Sequence, residues 1–123
     1  MTWVMVAVGG AAGSLARYGV AFSISRWVGN PVPIATALVN VVGCAVAGVL
    51  LGLTASQRLL LTAEQRALLV SGVLGGLTTF SGFGIDTLVL VQEGRGATAV
   101  INIVAQVIVG LAVLALAFAV ARR

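Results

Sequence analysis

The chain has 123 residues, of which 60% are hydrophobic and only 8% carry a charge. A soluble domain typically carries about 25% charged residues, so this composition excludes an ordinary soluble protein and indicates a membrane protein. The net charge of +4 comes from seven arginines scattered among apolar runs, without the basic cluster that nucleic-acid binding needs. The chain has no histidine, and its one cysteine, Cys44, lies mid-run and reads as a small packing residue.

Four apolar segments are long enough to cross a bilayer, which takes about 20 residues of helix. They cover residues 3–28, 34–53, 67–92 and 97–121. A Gly-Asn-Pro-Val-Pro turn signal at 29–33, a polar loop at 54–66 and a short connection at 93–96 separate them. The sequence therefore predicts an all-α membrane protein, with residues 1–123 forming a single four-helix transmembrane domain.

The orientation of these spans should follow from the arginines in the short connections. Four share the side of the N-terminus: Arg58, Arg66, Arg122 and Arg123. Three lie on the opposite side if the first-helix arginine extends forward: Arg17, Arg26 and Arg95. Four against three is almost no bias. Either another feature orients the chain, or it inserts both ways and two opposed copies form an antiparallel dimer.

The third span has the most unusual composition. From Gly72 to Gly84 it reads GVLGGLTTFSGFG, with five glycines and two adjacent threonines. Each glycine costs a membrane or soluble helix roughly 1 kcal/mol relative to alanine. The pattern predicts a helix break near Gly75–Thr79, and the carbonyls freed there need protein, water or an ion as partners. A simple packed kink is the alternative interpretation.

Polar residues inside three of the spans also need an explanation. Arg17 lies past the midplane of the first span, where it either extends to the nearer interface or lines an electropositive vestibule. Thr36 and Asn40 share one face of the second helix, as Asn102 and Gln106 do on the fourth. These side chains indicate either hydrogen bonding between helices or a polar track beside a permeation path.

Two phenylalanines, Phe80 and Phe83, follow the predicted break at a spacing of three and so share a face. Phenylalanine in a membrane helix commonly faces lipid or packs against a neighbour. An aromatic ring also has a positive edge, and edges that face a narrow pore stabilise a dehydrated anion without a fixed charge that would trap it.

Three segments now resemble the Fluc/CrcB family of fluoride channels. They are GGAAGSLARY (Gly9–Tyr18), ATALVNVVGCAVAG (Ala35–Gly48) and GGLTTFSGFGID (Gly75–Asp86), in order along nearly the whole chain. The resemblance implies a dual-topology homodimer in the lipid bilayer, with an inverted second copy and two antiparallel pores. Fluoride would leave the cell passively through these pores, which relieves its toxicity. No enzymatic activity is expected.

The resemblance also implies roles for particular residues. A structural sodium ion at the dimer centre would be bound by the main-chain carbonyls of Gly75 and Thr78 from each subunit. Arg17 would line the vestibule. The fluoride pore would be lined by Phe80, Phe83, Asn40, Thr79, Ser81, Asn102 and Gln106. The chain departs from the family pattern at Gly82, where threonine is common, and at Ala35, where glycine is usual.

Two other functions remain as alternatives. A small multidrug exporter has similar length and topology, but its proton-coupled exchange needs a carboxylate in the membrane, typically on the first helix. Here that helix has none, and Asp86, the only carboxylate within a predicted span, is expected to make a helix-end or loop contact. A non-transporting assembly subunit would explain the Gly-xxx-Gly pairs at 9–13 and 48–52, but not a helix break followed by two phased phenylalanines.

Overall fold

Four helical spans, each long and apolar enough to cross a membrane, make up the protein. The structure is a computed structural model that describes residues 1–28 and 33–123, so most of the predicted 29–33 turn lies outside the described residues. The spans are α1 (Thr2–Val28), α2 (Ile34–Ala55), a third span (Ala63–Gln92) and a fourth (Gly96–Arg122). The prediction of an all-helical, four-span membrane protein is confirmed.

The third span is interrupted, as the glycine- and threonine-rich segment predicts. Its first part, α3 (residues 63–77), is wound as a π-helix over Ala67–Leu74, and its second part is α4 (Phe80–Gln92). Between them Thr78 and Thr79 are extended, with ψ angles of 155° and 116°. The predicted break is confirmed, and it falls at the threonines that end the predicted stretch. The fourth span is α5 (Gly96–Arg122), with a π-helical turn at Ala105–Val109.

The loop predicted at 54–66 is shorter in the structure. Helix α2 continues to Ala55, and α3 begins at Ala63, four residues before the expected start. The early start follows from a capping box: the Thr62 hydroxyl accepts from the Gln65 main-chain N–H at 3.2 Å, and the Gln65 side chain accepts from Thr62 N–H at 3.0 Å. This reciprocal pair satisfies two N–H groups that a helix start leaves free.

The connection between α4 and α5 is set by Gly94, whose φ of +73° lies in the left-handed region. The Gly94 N–H donates to the Val91 carbonyl at 3.0 Å, and the Arg95 N–H donates to the Leu90 carbonyl at 2.9 Å. This is the Schellman ending of a helix, which favours glycine because the left-handed conformation has no Cβ penalty. It turns the chain back so that α5 runs antiparallel to α4.

Glycines allow α1 and α3 to cross with their backbones in contact. A Cβ atom built on Gly72 would lie 2.8 Å from the Gly9 Cα atom, and one built on Gly13 would lie 2.8 Å from the Leu77 main-chain nitrogen. Neither contact leaves room for a side chain. The Gly-xxx-Gly pair at 9–13 therefore joins two helices of the same chain.

A second glycine-lined crossing joins α2 to α5. A Cβ atom on Gly48 would lie 2.9 Å from the Ala117 side chain, and one on Gly52 would meet the Phe118 carbonyl at 2.6 Å. Small residues of this kind allow helices to approach closely in lipid, where apolar side chains gain little by leaving one environment for the other. The two crossings thus pair α1 with α3 and α2 with α5.

Candidate functional site

The break in the third span is bridged by one side chain of α2. Asn40 Nδ2 donates to the Thr79 carbonyl at 3.1 Å, and the Thr79 N–H donates to Asn40 Oδ1 at 2.8 Å. The amide thus pairs with both main-chain groups of one peptide position, in the way that a neighbouring strand would. In a continuous helix the Thr79 N–H would donate to the Gly75 carbonyl instead. Asn40 therefore replaces the hydrogen bond that the Thr79 N–H loses, and adds a donor to the Thr79 carbonyl, which also accepts from the Phe83 N–H at 3.5 Å.

The main-chain oxygens before the break have lost their helical surroundings. Gly75 is exposed and Thr78 is half-buried. The Arg17 guanidinium extends from α1 and donates through Nη1 to the Thr78 carbonyl at 3.3 Å. The structure thus directs Arg17 towards the break, away from the membrane end that a simple extension to the interface would reach. A positive charge consequently lies beside one of the two carbonyls that the resemblance assigns to sodium.

The first turn of α4 is capped by Thr79, whose hydroxyl accepts from the Gly82 N–H at 3.0 Å. Ser81 lies next to it, with its hydroxyl oxygen 3.2 Å from that of Thr79. A Cβ atom on Gly82 would come within 2.7 Å of Thr79 Cγ2. Glycine at this position, where the sequence departs from the family pattern, therefore leaves room for the capping side chain.

Phe80 and Phe83 lie side by side on the first turn of α4. Their ring centroids are 5.4 Å apart and the ring planes are inclined at 47°. Phe83 is half-buried, whereas Phe80 is 82% exposed in the single chain. A cavity of about 100 Å³ lies between the two rings and α2 and α5, and its lining residues are Asn40, Phe80, Phe83, Gln106 and Val107.

A continuous row of polar side chains runs from this cavity along α5. Asn40 Nδ2 donates to Gln106 Oε1 at 2.6 Å, and Gln106 Nε2 donates to Asn102 Oδ1 at 2.8 Å. Asn102 Nδ2 then donates to the Thr87 hydroxyl at 3.0 Å. Gln106 lies in the π-helical turn of α5. The two amides of the fourth span thus form hydrogen bonds between helices, which was one of the two interpretations of these side chains in the sequence.

A wider groove of about 430 Å³ opens beside the break. It is lined by residues of the third span, by one face of α2 and by Leu114 of α5, and most of this lining is apolar. The lining residues at the break are Asn40, Gly75, Thr78, Thr79 and Phe80. Its walls include both carbonyl-bearing residues of the break and one of the two rings. A partner that covered this groove would enclose them.

Asp86 lies in the interior, and within the described part of the chain it makes no helix-end contact of the kind expected from its sequence position. It is 9% exposed, and its Oδ2 atom has no hydrogen-bond partner within residues 1–28 and 33–123. Thr36 of α2 lies close to the preceding turn of α4, since a Cβ atom on Gly82 would be 3.5 Å from Thr36 Cγ2. Ala35, where the sequence departs from the family pattern, is buried. Tertiary packing buries a carboxylate here that periodicity alone leaves at a helix end.

Most of the residues singled out in the sequence come together. One cavity is lined by four of them: Asn40, Phe80, Phe83 and Gln106. Thr79 and Ser81 lie beside that cavity, and Asn102 is connected to it through Gln106. The remaining three, Arg17, Gly75 and Thr78, lie together at the break. Two contributors were missed. Thr87 receives the Asn102 amide, and Gly43 is packed so tightly on the Thr78 methyl group that it admits no Cβ. The spacing of 80, 83 and 87 on one helix face was a signal for Thr87.

Comparison with known protein families shows which family the chain belongs to. Residues 4–118 match the family described as CrcB-like protein, Camphor Resistance (CrcB). The chain belongs to the CrcB-like family. The matched residues include every member of the break, the cavity and the polar row.

Curated CrcB-like relatives cover nearly the whole chain. A protein of Methylobacillus flagellatus is 42% identical over 116 residues, or 94% of this chain and 90% of that protein. One from Rhizobium leguminosarum bv. trifolii is 44% identical over 119 residues, or 97% of this chain and 94% of that protein. One from Aeromonas salmonicida is 41% identical, with 82% of this chain and 80% of that protein aligned. Each of the three is named fluoride-specific ion channel FluC.

Proposed function

We propose that the chain is a subunit of a fluoride-selective channel, through which the anion leaves the cell down its electrochemical gradient. The observation that carries this function is the cavity in which two rings and two amides meet directly after a helix break. Family membership and the names of relatives that align with nearly the whole chain support the same function. Passive flow needs no catalytic group, and no enzymatic activity is proposed.

The chemistry of the cavity suits a small, strongly hydrated anion. Its lining includes the rings of Phe80 and Phe83 and the Gln106 side-chain amide. Ring edges and an amide N–H would replace water around fluoride without a full positive charge. Thr79 and Ser81 add hydroxyls close to the rings. Arg17 lies outside the cavity, where its charge raises the local concentration of anions at the approach. This combination permits entry without trapping the ion.

We also propose that two copies assemble in opposite orientations within the lipid bilayer of the inner membrane. Three features support this assembly: the near-even arginine distribution, the 82% exposure of Phe80, and the groove beside the break. A ring that helps to line an anion path needs a partner to exclude lipid from it. An inverted copy related by a two-fold axis in the membrane plane would cover both grooves with the same surface.

A sodium ion at the centre of this dimer is a further part of the proposal. The carbonyls of Gly75 and Thr78 fit as hard oxygen ligands, because the break removes them from regular helical hydrogen bonding. One chain offers two such oxygens, and an inverted copy would bring two more. A carbonyl has two lone pairs, so Thr78 retains one for a cation while it accepts from Arg17. When bound, the ion would offset part of the cost of anions near the midplane.

Efflux from liposomes tests the proposed function. Liposomes loaded with fluoride and chloride are treated with a potassium ionophore, and an ion-selective electrode follows each anion. We expect fluoride, and not chloride, to leave without a proton gradient. Phe80→Ile and Phe83→Ile should lower fluoride flux by at least about tenfold while the purified assembly keeps its size. Phe22→Ile is the matched control, because Phe22 lies on α1 and stacks on Tyr18 at 6.3 Å.

The same liposomes separate the alternatives. Proton-driven movement of a cationic dye would identify an exporter, and the absence of any flux from correctly assembled protein would favour an assembly subunit. Flux that is unchanged in both phenylalanine variants would contradict the role of the ring edges.

A further inference from the structure

The polar row beside the cavity is directional. Starting at the main chain, the Thr79 N–H donates to Asn40 Oδ1, and Asn40 Nδ2 donates to Gln106 Oε1. The same order, acceptor oxygen first and donor nitrogen next, continues through Gln106 and Asn102. The last member is Thr87, whose hydroxyl donates to the Phe83 carbonyl at 2.7 Å. The row therefore begins and ends on α4 and its break.

The two ends permit only one direction. A main-chain N–H can only donate and a main-chain carbonyl can only accept. The Thr87 hydroxyl has one proton, and because that proton is used on Phe83 the oxygen must accept from Asn102. Asn102 then presents its carbonyl oxygen to Gln106, which donates to it through Nε2. Gln106 in turn presents its own carbonyl oxygen to Asn40. Asn40 is held independently in the same direction, since its Nδ2 also donates to the Thr79 carbonyl.

We propose that Thr87 is a positioning residue that fixes which way the amides of Asn102 and Gln106 point beside the anion path. This inference rests on the proposed function, whose residues it assigns to separate tasks. Both N–H bonds of Asn40 are consumed, one by Thr79 and one by Gln106. Asn40 thus stabilises the break. Gln106 uses one N–H on Asn102 and keeps the second, which the proposal assigns to the cavity that Gln106 lines with both rings. A reversed Gln106 amide would place oxygen there and repel an anion.

The side-chain placement supports a local effect of this kind. Thr87 is one turn beyond Phe83 on the same face of α4, and it is half-buried. Asn102, to which it is bonded, is only 4% exposed, so water has little access to replace a missing hydroxyl. An unpaired amide in such a place gains by turning over whenever a better partner lies on the other side.

Matched threonine variants test the proposal in the full-length protein. Thr87→Val removes the hydroxyl and keeps the shape, and we expect fluoride efflux from liposomes to fall about tenfold, the scale of one buried hydrogen bond. Thr87→Ser keeps the hydroxyl and should restore efflux to near the wild-type rate. Thr54→Val is the control, because Thr54 is also half-buried and donates to the carbonyl four residues earlier, at 2.7 Å, but belongs to no row.

Two results would overturn the inference. If Thr87→Val matches wild type, the hydroxyl does not set the amides. If Thr87→Ser is as slow as Thr87→Val, the methyl group matters and the hydroxyl does not. Thr87→Ala, which also lacks the hydroxyl, replaces the valine variant if that one does not fold.

A second readout needs no transport and separates this inference from the proposed function. In the wild type the side-chain amide of Asn102 donates to Thr87, and that of Gln106 donates to Asn102. Nuclear magnetic resonance of micelle-bound protein should show hydrogen exchange at these two side-chain amides accelerated about tenfold by Thr87→Val, and unchanged by Thr87→Ser and Thr54→Val. Equal exchange in all four proteins contradicts the directional row, whether or not the wild type conducts fluoride. If exchange responds to the variants as expected but the wild type passes no fluoride, the proposed channel function is contradicted and the directional row is not.

Discussion

Two neighbouring parts of the third span use small residues in opposite ways. At the crossing with α1, Gly72 stays helical and admits another backbone, with main-chain atoms in direct contact. A few residues later, Thr78 and Thr79 leave the helix altogether; Thr79 is held by the Asn40 amide of α2, and the Thr78 carbonyl accepts from Arg17 of α1. The crossing is made by close contact of main-chain atoms and depends on shape. The break is polar and depends on hydrogen bonds.

The difference teaches that glycine content alone does not locate a break in a membrane helix. Gly75 and Gly76 are the poorest helix formers of the segment, yet both remain helical. In lipid, an interrupted backbone is tolerated only where other groups satisfy it. The chain departs from the helix at the position where Asn40 can pair with both main-chain groups of Thr79.

The largest effect is expected at the crossing. Gly72→Leu places a side chain where even a Cβ atom would lie 2.8 Å from Gly9 Cα, and neither backbone can yield. We expect a loss of about 3 kcal/mol of stability or more, seen as a lower thermal midpoint and a smaller monodisperse fraction in detergent. Gly19→Leu is the control, since a Cβ there meets nothing within 4 Å of the described residues. Equal midpoints for the two variants would contradict a tight crossing.

An intermediate effect is expected at the break. Asn40→Leu keeps much of the volume but leaves the Thr79 N–H without its partner and removes one of two donors to the Thr79 carbonyl. We expect a cost of about 2 kcal/mol. We expect a lower thermal midpoint together with a loss of fluoride efflux. Thr54→Val, also on α2, should change neither. A variant that melts like the wild type would show that Asn40 does not replace the missing helical bonds.

The smallest effect is expected at the cap of α4, directly after the break. Gly82→Thr forces the Thr79 side chain to move, because its Cγ2 would lie 2.7 Å from the new Cβ, and so weakens the cap of α4. Loss of such a cap costs about 1 kcal/mol. Gly84→Thr serves as control, since a Cβ there meets nothing within 4 Å of the described residues. Identical thermal midpoints for the two variants would mean that the capping bond contributes nothing.

Much of the site could be predicted from the sequence, because its members are polar side chains that are costly to bury in lipid and therefore stand out in an apolar span. Asn40, Asn102 and Gln106 are amides inside apolar runs, and the paired threonines follow adjacent glycines. Their helical spacing was enough to assign faces. It was not enough to assign partners, so whether the amides bonded between helices or lined a path stayed open until the row was seen.

Other features depended on contacts between distant segments. The Arg17 guanidinium bonds to a carbonyl 61 residues later, and no periodicity predicts which carbonyl an arginine reaches. Asp86 was placed at a helix end by its position and is buried by packing. The start of α3 at Ala63 was available locally in the Thr62–Gln65 pair, but the polar composition of the preceding loop outweighed that signal.

The sequence by itself determined that the protein lies in a membrane, how many spans it has and which segment interrupts its helix. It did so because hydropathy and backbone propensity are local properties that add along the chain. The tertiary structure alone decided where within that segment the helix stops, which carbonyls are freed, and in which direction the amides point. Those outcomes depend on the pairing of donors and acceptors from separate helices, and the glycine-lined crossings bring those helices close enough to pair.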